Sequence, residues 1–561
     1  MWQHNYEPLG GSLGLSALVA AIPIFVLFVM LGVLRRPAWI SAVGALVSGL
    51  LVALLAYGMP ARLAIISMIY GAAYGMFPIA WVVFSSIMLY RLVVDTGKFE
   101  IIKDSVGGLT DDRRLQAMFI AFSFGAFIEG AAGFGAPVAV AGAMLAGLGF
   151  DPFYAAGICL LANTAPVAFG SIGIPVITLA SVTGLPVGAL SAMVGRLCAM
   201  ISIFIPGYLI VVMAGRKRAL EVLPAIIACG VSFAGVQFLV SNYVGAELTD
   251  ILSSLTCIIV MVGVLKLWKP ASIMRLETDR PIVAAVSRPT GRQLFLAWLP
   301  YLMLVLFVLA WGEPDIKKAI DTWTNNMLPR SLPINASTLN GLNVPGLHNM
   351  IQRVPPVTPT PSPYGAVFTF NWLSASGTAC LLALLASALL MGISPGRVAK
   401  AYRDTFKQLS YAMITIASML GLAYLMNYSG MTSTLGLALA STGTAFPFFS
   451  AVVGWMGVFL TGSDTSANAL FGNLQVVTAN ALQLNPILMA SVNSAAGVMG
   501  KMISVQSIAV AVAATGMTRA DESRLFRFTI KHSALLMAVM GLLSMFFAYV
   551  VPHWVPAMPV K

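Results

Sequence analysis

Charged side chains are scarce in this sequence. Asp, Glu, Lys and Arg together make up 9% of 561 residues, against 59% hydrophobic. A soluble chain carries about 25% charge, so a water-soluble globular domain is excluded. The acids are the rarer sign, 20 against 32 bases, for a net charge of +12. That excess is no nucleic-acid footprint, because the bases sit in short loops between apolar runs, as the positive-inside rule describes. Histidine is limited to four residues. His4 and His553 lie near the ends, His348 lies in a polar loop, and His532 follows Lys531 where an interfacial position is expected. The five cysteines (Cys159, Cys198, Cys229, Cys257 and Cys380) all fall in apolar runs without a CxxC spacing. They read as small buried hydrophobes, not as disulfides or metal ligands. HExxH, a nucleophile elbow and GxxxxGK[ST] are all missing, which leaves an embedded enzyme or an ATP-driven pump without support. No catalytic residue, metal or cofactor is implied.

What the sequence has is length of apolar run. Spans are predicted at 12–34, 38–57, 62–92, 153–180, 186–214, 219–240, 248–266, 293–312, 366–391, 408–427, 486–513 and 531–551. Runs of about 20 residues cross a hydrocarbon core of about 30 Å. The fold class is therefore an all-α polytopic membrane protein of about twelve spanning helices. The N-terminus has no basic n-region or small-residue cleavage site, so 12–34 is expected to be a retained span. Stretches 115–150 and 448–482 differ, since glycines and polar residues sit at their centres. Each is predicted to be a re-entrant hairpin of two half-helices, about 11 residues or 16 Å per arm.

The two hairpins resemble inverted copies. Gly125-Ala126-Phe127-Ile128-Glu129-Gly130 leads to Asn163-Thr164-Ala165-Pro166, and Gly457-Val458-Phe459-Leu460-Thr461-Gly462 leads to Asn493-Ser494-Ala495-Ala496. Paired interruptions in two halves point to a transporter's central site. The basic loops agree: Arg35-Arg36, Arg113-Arg114, Arg216-Lys217-Arg218, the Lys266, Lys269, Arg275, Arg280, Arg288 and Arg292 loop, the Arg397, Lys400, Arg403 and Lys407 loop, and Arg519, Arg524 and Arg527. All fall on one side, the cytoplasm, only if neither hairpin crosses. Both termini are then external. Residues 1–214 form a first half with hairpin 115–150 entering from the cytoplasm. Residues 215–292 form two central linking spans and a basic cytoplasmic loop. Residues 293–561 form an inverted second half, with hairpin 448–482 entering from outside. The 313–363 loop is external, rich in Pro, Asn and Ser, and expected to be an irregular cap in which Val354 to Pro361 stays extended.

The charges inside these segments carry the chemistry. Glu129 sits at the first tip, where an ionised carboxylate costs about 2.5–3.5 kcal/mol on insertion scales. It is expected to carry a proton or touch substrate, or else to bond loop amides structurally. At the second tip, Ser463, Asp464, Thr465 and Asn468 place hydroxyl, carboxyl and amide groups suited to a small hydroxylated anion. Asp464 is a candidate proton-coupling group or a helix cap. Asn163, Thr164, Asn493, Ser494 and Gln506 flank the two breaks and are candidate substrate ligands. Pro166 and Pro175 each remove an intrahelical hydrogen bond. Half-helix N-termini then point partial positive charge at the site, which favours an anion. Lys501 is the one base in the second broken segment. It is the candidate partner for a substrate carboxylate, or it forms a fixed ion pair with Glu129 or Asp464. Arg196 is a second intramembrane cation, ranked below it because it can snorkel.

At these residues the chain resembles the lactate permease family. The resemblance runs from Trp2-Gln3-His4-Asn5-Tyr6 to the last span. It is densest at Phe124 to Pro137, Gly147 to Phe150, Asn163 to Pro175, Gly457 to Leu470 and Gly500 to Ala509, with Leu525 to Thr529 and Lys531-His532-Ser533 near the end. One departure is Val505, where the family commonly has proline, which implies a gentler second break. The resemblance implies uptake of L-lactate, often also D-lactate and glycolate, by proton symport across a bacterial inner membrane, in an ion-transporter-like fold of inverted repeats. The expected partners are that substrate, a proton and the lipid bilayer, with no nucleic acid. A sodium-coupled carrier of other small carboxylates is the alternative within transport. A passive channel would need no coupling carboxylate, and a lactate sensor would normally carry a soluble signalling domain.

Overall fold

The computed structural model describes residues 1–107, 109–133, 135–275, 289–327 and 341–558. Arg280, Arg288 and the middle of the 313–363 loop lie outside them. A backbone in hydrocarbon must satisfy its own hydrogen bonds, so apolar runs become helices. Among the described residues, eleven helices are long and apolar enough to span a membrane, or twelve with one bent pair counted. This is an all-α polytopic membrane protein.

Several boundaries differ from expectation. The 62–92 span covers Ala61–Asp95 but breaks at Phe77, whose extended backbone (φ −141°, ψ 125°) precedes Pro78. The 366–391 span is helical only over Ser376–Leu390, because the chain before it pairs in a short strand at Val367–Phe368. The 408–427 span grows into the 35-residue helix Pro395–Ser429, whose basic first turns project beyond the apolar run. A helix over Met431–Leu439 precedes the second hairpin and was not foreseen.

Each of these two stretches is a pair of helices joined by a turn at its polar centre; three of the four arms are longer than predicted, and the first arm of the second pair belongs to a candidate span, Met431–Thr461. The first rises continuously from Arg113 to Ala131, turns with Ala132, Gly133 and Gly135, and returns as Ala136–Gly147. Gly133 (φ 59°) and Gly135 (φ 83°) take the left-handed conformations the reversal needs. Pro137 occupies the first turn of the return, where its missing N–H costs nothing. The base of this hairpin is clamped. Fully buried Arg114 donates to Asp112 at 2.7 Å and to Glu221 at 2.6 Å, and to the carbonyls of Arg218 and Ser272. The second hairpin has arms Phe446–Thr461, of 16 residues, and Asp464–Ala481, of 18. The polar tips mark where each arm ends, but nothing in the apolar run marks where it begins.

Small residues let the second hairpin lie close against the Pro486–Lys501 helix. A Cβ on Gly454 would sit 2.2 Å from the Asn493 carbonyl oxygen, and one on Gly500 would sit 2.2 Å from that of Trp455. Such close backbone approach is how helices associate without a hydrophobic drive. The first broken helix joins Pro152–Ala162 to Val167–Thr183 with a 62° bend, whereas Pro486–Thr515 continues as one path despite its break at 502–504. The gentler second break accords with Val505 at a position that does not enforce it.

Packing crosses between the two parts of the chain reciprocally. The returning arm Ala136–Gly147 packs on Val505–Thr515, and the returning arm Asp464–Ala481 packs on Gly170–Thr183. Pro152–Ala162 packs on Glu522–Tyr549, and Pro486–Lys501 packs on Val187–Ser202. The two central helices, Leu223–Tyr243 and Thr249–Leu267, pack on each other, and the second lies along the first hairpin. They are part of the core, not a detached linker.

A polar cap covers one end. Trp2–Gln3 pairs in parallel with Ile351–Gln352, and Gln352–Arg353 pairs antiparallel with Ser362–Pro363. The extended segment expected over Val354 to Pro361 is instead a run of turns, with the Thr358 N–H donating to the Val354 carbonyl at 3.3 Å. Proline fixes φ but not ψ, so a proline-rich run can turn as readily as extend. All five cysteines are free and buried.

Candidate functional site

The site is built where helices stop. Glu129 lies in the last turn of the rising arm, and Lys501 is the last residue of its helix, where a cation complements the helix dipole. Lys501 Nζ donates to Glu129 Oε1 at 2.7 Å, with both residues buried. Of the two partners considered for Lys501, the carboxylate it contacts is Glu129, not Asp464. Among the described residues Glu129 Oε2 has no hydrogen-bond partner.

This pair lines a cavity of about 350 Å³. Four helix starts border the same space. Gly135 precedes the Ala136–Gly147 helix, and Gly170 and Ser171 open the second part of the first broken helix. Ser463 caps the Asp464–Ala481 helix by accepting from the Ser466 N–H at 3.2 Å. Gln506 and Ser507 stand in the first turn of Val505–Thr515, which Ser504 caps. Free N–H groups and positive dipole ends converging on a buried space favour an anion. The cavity reaches past these groups to Trp39 and Tyr411, whose rings stack with centroids 5.4 Å apart. Trp39 follows Arg35-Arg36, and Tyr411 follows Lys407, so the cavity extends toward a basic end of the molecule.

Of the residues singled out from the sequence, Glu129, Ser463, Asp464, Thr465, Lys501 and Gln506 line this cavity. Asn163 and Thr164 do not. They border a separate small space with Lys501 and Ser507, and Thr164 Oγ1 is committed to the Leu161 carbonyl at 2.7 Å. Asn468, Asn493 and Ser494 lie behind Asp464 in a buried network. Ser494 Oγ donates to Asp464 Oδ2 at 2.6 Å, Asn493 Nδ2 to Asn468 Oδ1 at 2.9 Å, and Asn468 Nδ2 to Ser494 Oγ and the Pro175 carbonyl, both at 3.1 Å. Gln475 Nε2 holds Asn493 Oδ1 at 3.1 Å. These amides fix the orientation of Asp464, and among the described residues Asp464 Oδ1 has no hydrogen-bond partner. Arg196 is remote from the cavity lining, bonded to Asn242 Oδ1 at 2.9 Å and to the Trp554 carbonyl.

Two features escaped the sequence. Ser171 and Ile172 take left-handed backbone conformations (φ 47° and 61°) at the first break. Such strain costs about 1–3 kcal/mol per residue and gathers at functional sites. Ser171 is held by donating to the Ala132 carbonyl at 2.9 Å, which ties the break to the hairpin tip. The second is Asp250, in the first turn of a central helix, buried to 1% exposure with neither carboxyl oxygen bonded among the described residues. An acid inside an apolar run was its only signal. Among the described residues no cluster of His, Cys, Asp and Glu could hold a metal ion.

A family model described as L-lactate permease matches residues 16–551. The chain is 46% identical over 567 residues to the L-lactate permease of Bacillus subtilis, covering 99% of this chain and 100% of that one. It is 44% identical to the glycolate permease GlcA of Escherichia coli K12, covering 98% of each. Among solved structures, the YdaH transporter of Alcanivorax borkumensis aligns over 87% of each chain with a TM-score of 0.43 and 12% identity, too distant to carry an argument.

Proposed function

The chain belongs to the L-lactate permease family, and from that premise we propose that it imports L-lactate, with D-lactate and glycolate as further substrates, by proton symport across a bacterial inner membrane. It is a carrier, not an enzyme. The names of its relatives support the substrate class, since one is an L-lactate permease and another a glycolate permease.

The observation that carries the coupling is the 2.7 Å pair of Lys501 and Glu129 on the wall of the cavity. A buried ion pair that loses one partner leaves an uncompensated charge, at a cost of about 3–5 kcal/mol. Lys501 therefore has two low-cost states. In one it pairs with ionised Glu129. In the other Glu129 takes a proton and Lys501 pairs with the substrate carboxylate. Proton without anion strands the lysine, and anion without proton sets two carboxylates against one ammonium. Each load favours the other, and the pair enters electrically neutral. The four helix starts strengthen the anion's hold; Ser463, Thr465 and Gln506 line the same cavity and would bond the 2-hydroxyl.

The reciprocal packing of the hairpin arms supports an inverted repeat of residues 1–214 and 293–561 about the central 215–292 helices. With basic loops inside, both termini are external. The test is Glu129→Gln in proteoliposomes. A neutral amide mimics the protonated acid, so the variant exchanges labelled lactate in counterflow but does not accumulate it under an imposed pH gradient. Proton-driven accumulation at the wild-type level would refute the role.

A further inference from the structure

We propose that Asp250 is a proton-relay residue that loads Glu129 from the side of the hairpin tip opposite the cavity; this rests on the reading of Glu129 as the coupling carboxylate. Asp250 is buried, and among the described residues neither of its carboxyl oxygens has a hydrogen-bond partner. An acid in a helix's first turn ordinarily caps the free N–H groups there. Asp250 stands in the first turn of Thr249–Leu267 but caps nothing, and the N-cap residue Leu248 has no side-chain bond either. A buried carboxylate without hydrogen bonds is costly, and a neutral carboxylic acid is far less so. The dipole at the start of that helix is the structural reason left for an acid at this position.

Its position supplies a functional one. Asp250 lies against Gly130, the residue after Glu129. A Cβ on Gly130 would fall 2.8 Å from Asp250 Cβ, so the absence of a side chain there lets the start of the Thr249–Leu267 helix lie close against the hairpin tip. Asp250 interacts electrostatically with both Glu129 and Lys501. It is not part of the cavity wall, so substrate cannot reach it by the route that reaches Lys501.

The turn leading into Asp250 carries a second acid. Glu247 is half-buried and accepts from Ser376 Oγ at 3.3 Å. This turn is braced on the first helix break, since a Cβ on Gly173 would lie 2.7 Å from the Ala246 carbonyl carbon. Glu247, Asp250 and Glu129 thus run from the partly open turn to the buried pair. The Asp250 acid gives its proton to the Glu129 carboxylate through one intervening water, since the two carboxyls are not hydrogen-bonded to each other. The O–H bond breaks at Asp250 and forms at Glu129, Lys501 remains an ammonium, and the Asp250 carboxylate regains a proton from water at the Glu247 turn. The central helices then take part in coupling and do not only link two halves.

The test compares two rates in the same proteoliposomes, net lactate uptake under an imposed pH gradient and lactate counterflow at equal pH. Net uptake needs a proton delivered on every cycle, whereas exchange can proceed with Glu129 still protonated. For Asp250→Asn the ratio of net uptake to counterflow is expected to fall at least about tenfold, within the range by which positioned proton-transfer groups act. Asp250→Glu, which keeps an acid, is expected to recover most of that ratio. A ratio equal to wild type in Asp250→Asn overturns the relay, as does loss of both rates by the same factor that Asp250→Glu fails to repair. A wild-type protein indifferent to the pH gradient would overturn the Glu129 reading and the relay together. Normal coupling in the wild type with an unaltered Asp250→Asn ratio overturns the relay alone.

Discussion

Lys501 does two things that pull apart under mutation. It neutralises Glu129 at rest and, in the transport scheme, holds the substrate carboxylate. Lys501→Ala removes both functions and leaves a buried carboxylate unpaired. The single variant is expected to lose about 3–5 kcal/mol of stability and to bind lactate far more weakly. Lys501→Met combined with Glu129→Gln restores charge balance. That double variant is expected to recover much of the stability without the binding. Thermal unfolding in detergent and lactate binding by calorimetry separate the two effects. Lactate affinity unchanged in Lys501→Ala removes this residue from the site. Both members of the pair were legible in the sequence, because a charge inside an apolar run is rare enough to stand out. Their contact was legible only as one option among several, since it joins residues 372 positions apart. The roles of Asn468, Asn493 and Ser494 were less legible. Amides in a tip look alike whether they face a ligand or each other, and here they bond each other behind Asp464.

At the scale of elements, the second hairpin and the Pro486–Lys501 helix set the height at which Lys501 meets Glu129. That seam runs on glycine. A methyl group at Gly454 would need room 2.2 Å from the Asn493 carbonyl oxygen, which is backbone and cannot swing aside. Gly454→Ala is expected to cost about 1–3 kcal/mol by overpacking and to displace Asn493 from the network that orients Asp464. A melting temperature equal to wild type would show that the helices do not meet as closely as described. The breaks and tips of these elements could be read from glycine and proline placement. Arm length could not, because an apolar helix continues for as long as its backbone is satisfied, and no residue in the rising arm Arg113–Ala131 signals a stop short of the tip.

At the scale of the whole molecule, the cap fastens the start of the chain to its second half. His4 Nε2 meets the Tyr428 carbonyl at 2.9 Å, and its Nδ1 meets Tyr6 Oη at 3.3 Å. Burial, aided by the charge of Arg353 and opposed by the Tyr428 bond, lowers the His4 pKa from 6.5 to about 4. The docked state thus binds fewer protons than the undocked one between those values, so docking is fully favoured above pH 6.5 and weakens as pH falls toward about 4. Amide exchange of residues 1–12 is expected to quicken over that window, and His4→Gln should flatten the dependence. Exchange independent of pH, after correction for its intrinsic rate, would count against the docking. An irregular cap was expected of the 313–363 loop, but its pairing with the start of the chain was illegible, since its strands are two or three residues long and carry no periodic pattern.

The account as a whole stands on one exchange of partners, in which a proton takes Glu129 from Lys501 and lactate takes its place. The most direct measurement is proton movement during lactate entry into proteoliposomes, followed with a trapped pH indicator at zero membrane potential. Wild-type protein should acidify the lumen as lactate is added outside, and Glu129→Gln should show no acidification under the same gradient. Lactate-dependent acidification by Glu129→Gln at the wild-type rate would contradict the account.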